Sequence, residues 1–203
     1  MKTVIIKYNA GNIRSVLFAL ERIGVQATVT DDADIIRGAD KVIFPGVGEA
    51  STAMQYLKQR GLDQLIISLQ QPVLGICLGM QLLCDWSDEN ATQCLGIFDG
   101  IKVKQFQPGN SGLKVPQIGW NTIYNLHGVP GGQSPLFNNV KENSYCYFVH
   151  GYYAEKCAYT IAEADYTLAY SAALQKNNFY GVQFHPEKSA NAGEQILKNF
   201  LSV

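Results

Sequence analysis

The sequence lacks long hydrophobic runs, and it lacks an excess of charge of either sign. No apolar run reaches the roughly 20 residues that a membrane-spanning helix requires, so we expect no membrane partner. Its 16 basic and 17 acidic side chains leave a formal net charge of −1, which gives no indication of a nucleic-acid partner. The first residues lead directly into a strand-like run and lack the pattern of a secretory signal.

Paired cysteines are also missing. The five cysteines are odd in number, scattered, and never spaced as Cys-x-x-Cys, so we expect free thiols in a reducing cytoplasm. The three histidines stand at no ligand-like spacing from cysteine pairs, and we expect neither a metal nor another cofactor. The 203 residues, 47% hydrophobic and 16% charged, are enough for a full core in a single domain over 1–203.

Short apolar runs alternate with amphipathic segments through the first half of the chain. Predicted strands are Thr3–Tyr8, Gln26–Thr30, Lys41–Phe44 and Val73–Ile76. Predicted helices are Ile13–Ile23, Ala50–Lys58, Leu62–Leu69 and Leu78–Leu83. This alternation predicts a three-layer α/β/α fold with a mostly parallel central sheet, in which ligands bind at the carboxyl ends of the strands.

The second half is predicted to add strands, some of them antiparallel. These strands are Gly96–Lys104, Tyr145–Tyr153, Tyr159–Ala164, Leu168–Leu174 and Phe179–Phe184, and a helix over Gly193–Leu201 closes the chain. The segment Asp85–Gln93 is polar and predicts a loop. Stretches rich in Pro, Gly and Ser over 107–112 and 128–134 predict surface loops.

The sequence around Cys77 predicts a sharp turn that carries a nucleophile. An apolar run over 73–76 ends at Cys77, which has Gly75 and Gly79 two residues away on either side. Strand, sharp turn and helix form the geometry of a nucleophile elbow, and the glycines allow the close approach of strand and helix. The helix N-terminus favours a thiolate at Cys77. The pattern alone fits a buried apolar cysteine in a tight connection equally well.

A histidine and a carboxylate follow near the C-terminus, in His185-Pro186-Glu187. Residues two apart in extended backbone point the same way, so both side chains can face one side. A histidine oriented by a carboxylate is the base that a cysteine nucleophile needs. Taken alone, the His-Pro-Glu motif is more typical of a surface turn than of a catalytic pair.

A glycine-rich turn, Pro45-Gly46-Val47-Gly48, follows the third predicted strand. Acyl transfer requires backbone N–H groups aimed at the developing oxyanion, and Leu78, which follows the nucleophile, is expected to supply one of them. The glycine-rich turn is in the right place to supply the other. It can also be read as an ordinary connecting or phosphate-binding turn, although its spacing matches neither a Walker nor a dinucleotide fingerprint.

These three motifs together resemble those of the class I, triad-type glutamine amidotransferases. The turn at 45–48, combined with Gly119-Trp120-Asn121, makes the chain similar from end to end to the glutaminase subunits of imidazole glycerol phosphate synthases. The resemblance implies a flavodoxin-like fold with antiparallel C-terminal strands. It also implies that Cys77 attacks the side-chain amide of glutamine, with His185 as base and then acid and Glu187 as its orienting carboxylate. Ammonia leaves, and water then releases glutamate from the thioester.

Further roles follow from the same resemblance. Val47 and Leu78 are the implied N–H donors of the oxyanion hole, and the peptide at Val47 is implied to be misoriented until the partner is loaded. Implied substrate contacts come from Gln81 and from the backbones of Gly48 and Gly151. His150 lies in a segment near the implied glutamine pocket. We interpret it as structural, because Cys77 already has its base.

The implied partner is a separate (β/α)8-barrel cyclase, and the two chains form a heterodimer. The cyclase uses the ammonia to make imidazole glycerol phosphate and an aminoimidazole carboxamide ribonucleotide in histidine biosynthesis. The residues that match the docking face are Asn12, Gln117, Trp120 and Lys188. Where the family usually has Pro-His-Met-Gly-Trp-Asn, this sequence has Gln117 and Ile118, which leaves the details of docking open.

Three other functions stay open at this point. The chain could be a related amidotransferase that supplies ammonia to a different synthase, and Gln117 and Ile118 keep this alternative open. It could be a cysteine hydrolase or peptidase of the same broad fold, against which Gln81 and the His-Pro-Glu spacing argue. It could also be a binding subunit without catalytic activity, which an intact triad disfavours.

Overall fold

The computed structural model describes residues 1–9, 11–107, 112–126 and 133–203. The strands within these ranges are β1 (Thr3–Ile6), β2 (Ala27–Thr30), β3 (Lys41–Gly46), β4 (Val73–Cys77), β5 (Cys84–Ser87), β6 (Thr92–Gln93), β7 (Phe98–Gln105), β8 (Gln117–Ile123), β9 (Ser144–His150), β10 (Tyr152–Ala154), β11 (Thr160–Asp165), β12 (Ala169–Lys176) and β13 (Phe179–Val182). The α-helices are α1 (Ile13–Arg22), α2 (Ala33–Arg37), α3 (Ala50–Gln59), α4 (Leu62–Ser68), α5 (Leu78–Leu83) and α6 (Ala190–Ser202).

One large sheet runs through the molecule in the order β2-β1-β3-β4-β13-β12-β10-β7-β5-β6, with β11 also paired to β12. The strands from β2 to β13 in this order are parallel, and β12, β10 and β7 continue the sheet in antiparallel pairs. Strands β8 and β9 form a separate antiparallel pair. The predicted three-layer α/β fold with a mostly parallel central sheet is therefore confirmed.

Side chains that alternate along the parallel strands divide the core into two layers. Ile5 and Ile43 face one side, where they belong to the same apolar cluster as the buried residues of α1 and α6. Val4 and Val42 face the other side and share a cluster with residues of α2, α3, α4 and α5. Both faces of the sheet are covered by helices, which explains why these strands read as continuous apolar runs.

Two predicted elements in the second half were wrong. The segment Asp85–Gln93, predicted as a loop, contributes β5 and β6, because the backbone of β5 pairs with β7 and that of β6 pairs with β5, although their side chains are partly polar. The single strand predicted over Tyr145–Tyr153 is divided at Gly151, so that β9 pairs with β8 while β10 joins the large sheet.

Some sequence predictions remain outside this description. The loops predicted over 107–112 and 128–134 lie largely outside the described residues. Within the described ranges, no helix combines the length and the apolar character needed to cross a membrane, and α6, the longest, has 13 residues.

Helix α5 lies so close to β3 that a side chain has no room at Gly79. A Cβ atom at Gly79 would lie 1.9 Å from the carbonyl oxygen of Phe44. We expect Gly79→Ala to lower the free energy of unfolding by about 3 kcal/mol, because the backbone must shift to accept the methyl group. Urea denaturation measures this change. The matched control is Gly151→Ala, whose Cβ would have its nearest neighbour at 3.8 Å. Equal stability of the two variants would contradict the account.

Candidate active site

Cys77 lies at the junction of β4 and α5, where the predicted strand–turn–helix is present. Its backbone adopts φ of 53° and ψ of −110°, a conformation that L-residues rarely take. Cys77 pairs in register with Gly46 of the neighbouring strand, so Cys77 lies beside the turn at 45–48. The sharp turn places the sulfur at the carboxyl end of the parallel strands, where such sheets bind their ligands.

His185 and Glu187 lie close together beyond the end of β13, in and just before a 3-10 turn over Pro186–Lys188. The imidazole Nδ1 is 2.8 Å from Oε1 of Glu187, so Nε2 is the ring nitrogen left to interact with Cys77. The Asn12 side chain donates a second hydrogen bond to the same Oε1, also 2.8 Å long. The sequence prediction that the histidine and the carboxylate share one side is therefore confirmed by their geometry.

The imidazole of His185 favours its protonated form. Burial lowers the pKa of His185, but hydrogen bonds and charge interactions with Cys77 and Glu187 outweigh the burial and raise the pKa to about 10. A protonated imidazole is thus stabilised between the sulfur and the carboxylate. Together the three groups can carry out nucleophilic acyl transfer through a cysteine.

A pair of buried amides continues the site behind Cys77. Gln81 donates Nε2 to the carbonyl of Tyr152 at 3.0 Å and to Oε1 of Gln183 at 2.9 Å. Gln183 in turn directs Nε2 toward the Cys77 sulfur at 3.7 Å. Gln183 was not among the predicted site residues, although the alternation that aligned His185 with Glu187 extends back to it.

A cavity of about 510 Å³ opens beside Cys77. The predicted site residues that line it are Val47, Gly48, Cys77, Leu78, Gln81, Gly151, His185 and Lys188. Glu89 also lines the cavity and was missed, because its segment was read as a loop. One of its oxygens accepts the Ala50 backbone N–H at 2.7 Å, and burial raises the pKa of the Glu89 carboxyl. In the part of the chain that is described, no group of three or more His, Cys, Asp or Glu side chains could hold a metal ion.

Of the residues predicted for the docking face, some are exposed and one is buried. Trp120 is 54% exposed and packs edge-on against Tyr147, with ring centroids 5.8 Å apart. The Lys188 ammonium lies 5.9 Å from the centroid of the same Tyr147 ring. Gln117, in contrast, is buried, and its Oε1 accepts the Tyr170 hydroxyl at 3.0 Å. Its side chain is therefore not presented at the surface of β8.

His150 is buried at the wall of the cavity. Its Nδ1 donates to the carbonyl of Tyr152 at 2.7 Å, and its Nε2 lies 3.3 Å from the Tyr170 hydroxyl. Burial lowers the pKa of His150 to about 4, aided by the charge of His185 and opposed by the Tyr152 carbonyl. A buried, neutral ring whose Nδ1–H is used within the protein agrees with the interpretation of His150 as structural.

Comparison with known proteins identifies the class to which this site belongs. A family model of the class-I glutamine amidotransferases matches residues 4–203. Among solved structures, PurLQS from Thermotoga maritima has a TM-score of 0.67 at 17% sequence identity, and the match covers 99% of this chain and 97% of that chain. At this identity the structural match shows a shared fold.

Curated relatives narrow the assignment. The imidazole glycerol phosphate synthase subunit HisH of Bacteroides fragilis is 56% identical over 203 residues, covering all of both chains. The subunit of the same name from Vibrio parahaemolyticus is 44% identical over 208 residues, covering all of this chain and 98% of that one. The chain therefore belongs to the class-I glutamine amidotransferases, in the family of imidazole glycerol phosphate synthase HisH subunits, and the predicted resemblance is confirmed.

The lowered pKa of His150 predicts a loss of stability in acid. In the unfolded chain His150 binds its proton near pH 6.5, whereas the folded chain excludes that proton until about pH 4. Between these values the unfolded state binds more protons, so the free energy of unfolding falls by up to about 1.4 kcal/mol per pH unit as the pH is lowered. In His150→Gln this contribution should be absent. Urea unfolding of both chains at pH 7, 6 and 5 measures the difference, and parallel pH profiles would contradict the prediction.

Proposed function

We propose that this chain is the glutaminase subunit of an imidazole glycerol phosphate synthase, acting in the cytoplasm as a single domain over 1–203. It hydrolyses glutamine and passes the ammonia to a separate (β/α)8-barrel cyclase in histidine biosynthesis. The cyclase forms imidazole glycerol phosphate and an aminoimidazole carboxamide ribonucleotide. The observation that carries the proposal is the grouping of Cys77 with the hydrogen-bonded pair His185 and Glu187, in a chain whose relatives bear the name of that synthase.

The first half of the reaction forms a thioester. Nε2 of His185 holds the proton given up by Cys77, which agrees with its raised pKa, and the thiolate sulfur attacks the side-chain carbonyl carbon of glutamine. Glu187 stabilises the imidazolium through Nδ1, and Asn12 holds the carboxylate in place. The imidazolium then returns the proton to the leaving nitrogen, and ammonia departs. Water attacks the thioester with His185 again as base, and glutamate is released.

The oxyanion of each tetrahedral intermediate needs two N–H donors. Leu78 follows the nucleophile at the first position of α5, and Val47 belongs to the turn beside Cys77; both line the cavity. Preorganised donors of this kind contribute about 3–4 kcal/mol each to lowering the barrier. A Val47 peptide turned away from the cavity would therefore keep hydrolysis slow until the partner, loaded with its ligand, reorients it.

Glutamine also presents an α-ammonium and an α-carboxylate, which need partners of opposite polarity. Nε2 of Gln81 is already used within the protein, so its Oε1 remains to accept N–H groups of the substrate. Glu89 supplies the negative charge for the α-ammonium at the cavity wall. The backbones of Gly48 and Gly151 complete the contacts, because a glycine lets the substrate approach the main chain closely.

The barrel cyclase docks on the face formed by β8 and β9. Ile118, Trp120 and Tyr145 expose 64%, 54% and 63% of their surface on this strand pair, which is unusual for large apolar side chains. Lys188 both lines the cavity and is exposed, so a partner seated here covers the mouth through which ammonia leaves. Asn12 joins the docking region to the triad through Glu187. Gln117 lies buried behind this face, where it supports β8 through its hydrogen bond with Tyr170.

Replacing the nucleophile tests the proposed chemistry. Glutamate release is measured from the chain alone, with the barrel cyclase, and with the cyclase and its ribonucleotide ligand. Cys77→Ala should lower the rate in the loaded complex at least about 1,000-fold, because thioester formation is lost. The control is Cys157→Ala, a half-buried thiol that does not line the cavity. Retained hydrolysis by Cys77→Ala would remove Cys77 from the mechanism.

Truncating Trp120 tests the docking face. Buried aromatic anchors commonly contribute about 2 kcal/mol or more to an interface, so Trp120→Ala should weaken binding of the barrel cyclase at least about 30-fold. Titration calorimetry with the purified cyclase measures the affinity. Ile35→Ala is the matched control, since Ile35 is an exposed apolar residue on α2. Unchanged affinity of Trp120→Ala would move the interface elsewhere, and binding to a different synthase in place of the cyclase would reassign the ammonia acceptor.

A further inference from the structure

Gln183 is a buried polar residue in direct contact with the nucleophile. It follows β13 and lies two residues before His185, and its backbone N–H continues the pairing of the sheet with the Ala172 carbonyl at 2.8 Å. Its side chain is fully buried, and its Nε2 is 3.7 Å from the sulfur of Cys77. A fully buried amide requires hydrogen-bond partners, so its contacts in this position are informative about its role.

The orientation of the Gln183 amide follows from its neighbours. The Tyr152 carbonyl can only accept a hydrogen bond, so the Gln81 atom that faces it at 3.0 Å must be the nitrogen. The same nitrogen also faces Gln183 at 2.9 Å, which requires an acceptor oxygen on the Gln183 side. The other atom of that amide, which faces Cys77, is therefore the NH2 group. A chain of fixed polarity thus runs from Gln81 to the sulfur.

The sulfur has different partners in its two protonation states. As a thiol it can donate its proton to the Val149 carbonyl, 3.6 Å away. When the proton moves to Nε2 of His185, the S–H bond breaks and an N–H bond forms, and the sulfur becomes an acceptor. The carbonyl of Val149 has no proton to donate to the deprotonated sulfur, whereas the NH2 group of Gln183 is already directed at that sulfur. Hydrogen bonds to a charged acceptor are stronger than those to a neutral one.

We propose that Gln183 is a catalytic residue that donates its Nε2–H to the Cys77 sulfur and stabilises the deprotonated nucleophile, with Gln81 fixing the direction of the donor. The effect of this hydrogen bond on glutamine turnover rests on the function proposed above, whereas the hydrogen bond to the sulfur itself does not depend on that function. Gln81 thereby has two tasks, because its nitrogen orients Gln183 while its oxygen faces the substrate.

The titratable or charged groups around this sulfur are His185, Glu187 behind the imidazole, Tyr8 just beyond the end of β1, and Glu89 and Lys188, which line the same cavity. A change at Gln183 alone therefore isolates the neutral amide, since it leaves all of these charged groups in place.

The test is the alkylation of Cys77 by iodoacetamide across pH 5–10, followed by mass spectrometry of the peptide that contains Cys77. In Gln183→Met, which is equally long but has no donor, the rate at pH 7 should be about tenfold lower, and the pH of half-maximal rate about one unit higher. The kcat for glutamine in the loaded complex should fall by a similar factor. Gln175→Met is the matched control, because Gln175 is also a buried glutamine but pairs with Ser134 and does not line the cavity.

A second variant keeps the test decisive if Gln183→Met does not fold. Gln183→Glu has the same shape and can still accept from Gln81, but it places an oxygen against the sulfur and should also slow alkylation at neutral pH. Alkylation of either folded variant at the wild-type rate and with the wild-type pH profile overturns the proposal. Because alkylation needs no glutamine, a wild-type chain without glutaminase activity would reject the proposed function while the role of Gln183 was still decided.

Discussion

The structure depends on the close approach of α5 to the ends of β3 and β4. Gly79 touches the carbonyl of Phe44, and Gly75 lies against the backbone of Gly79 and Met80, so neither position has room for a side chain. This approach forces the chain through the turn at Cys77, whose backbone takes a positive φ. That conformation destabilises the fold by an energy of the order of 1–3 kcal/mol, which the packing of the layers on both faces of the sheet offsets. In return, the sulfur is held at the edge where the parallel strands end.

Polar groups around the sulfur are held by the protein itself. Glu187 uses one carboxylate oxygen for both His185 and Asn12. Gln81 and Gln183 satisfy one another and the Tyr152 carbonyl. Each of these side chains has its direction determined before a substrate arrives, which is the preorganisation that electrostatic catalysis requires. Asn12 is also the N-cap residue of α1, so the start of this helix is joined to Glu187 by a single hydrogen bond.

Much of the fold follows from local patterns. The apolar runs of β1, β3 and β4 and the periodicity of α1 and α5 predicted those elements to within about two residues, because buried strands and amphipathic helices leave distinct signatures. Strands β5 and β6 escaped prediction, since their pairing uses backbone groups that carry no sequence signature. The division of β9 from β10 escaped for a related reason: which sheet each half joins is decided by partners distant in the sequence.

In the candidate site, too, roles that depend on partners distant in the sequence could not be predicted from local patterns. Cys77, His185 and Glu187 could be predicted because each stands in a motif with a chemical reason for its spacing. Gln183 could not be singled out, because a glutamine acquires a role only through the groups that orient its amide. Gln117 was predicted at a docking face, but the pairing of β8 with β9 turns it inward, opposite His150 in register. Exposure of Trp120 and burial of Gln117 on the same strand follow from alternation once that pairing exists.

The central claim is that Cys77 is the nucleophile that acts on glutamine, and covalent labelling tests it most directly. The chain, loaded with the barrel cyclase and its ribonucleotide ligand, is treated with an electrophilic glutamine analogue and digested for mass spectrometry. The account predicts one label per chain, on the peptide containing Cys77, with parallel loss of glutaminase activity and protection by glutamine. Labelling of another cysteine, or continued glutamine hydrolysis after Cys77 is fully labelled, would contradict it.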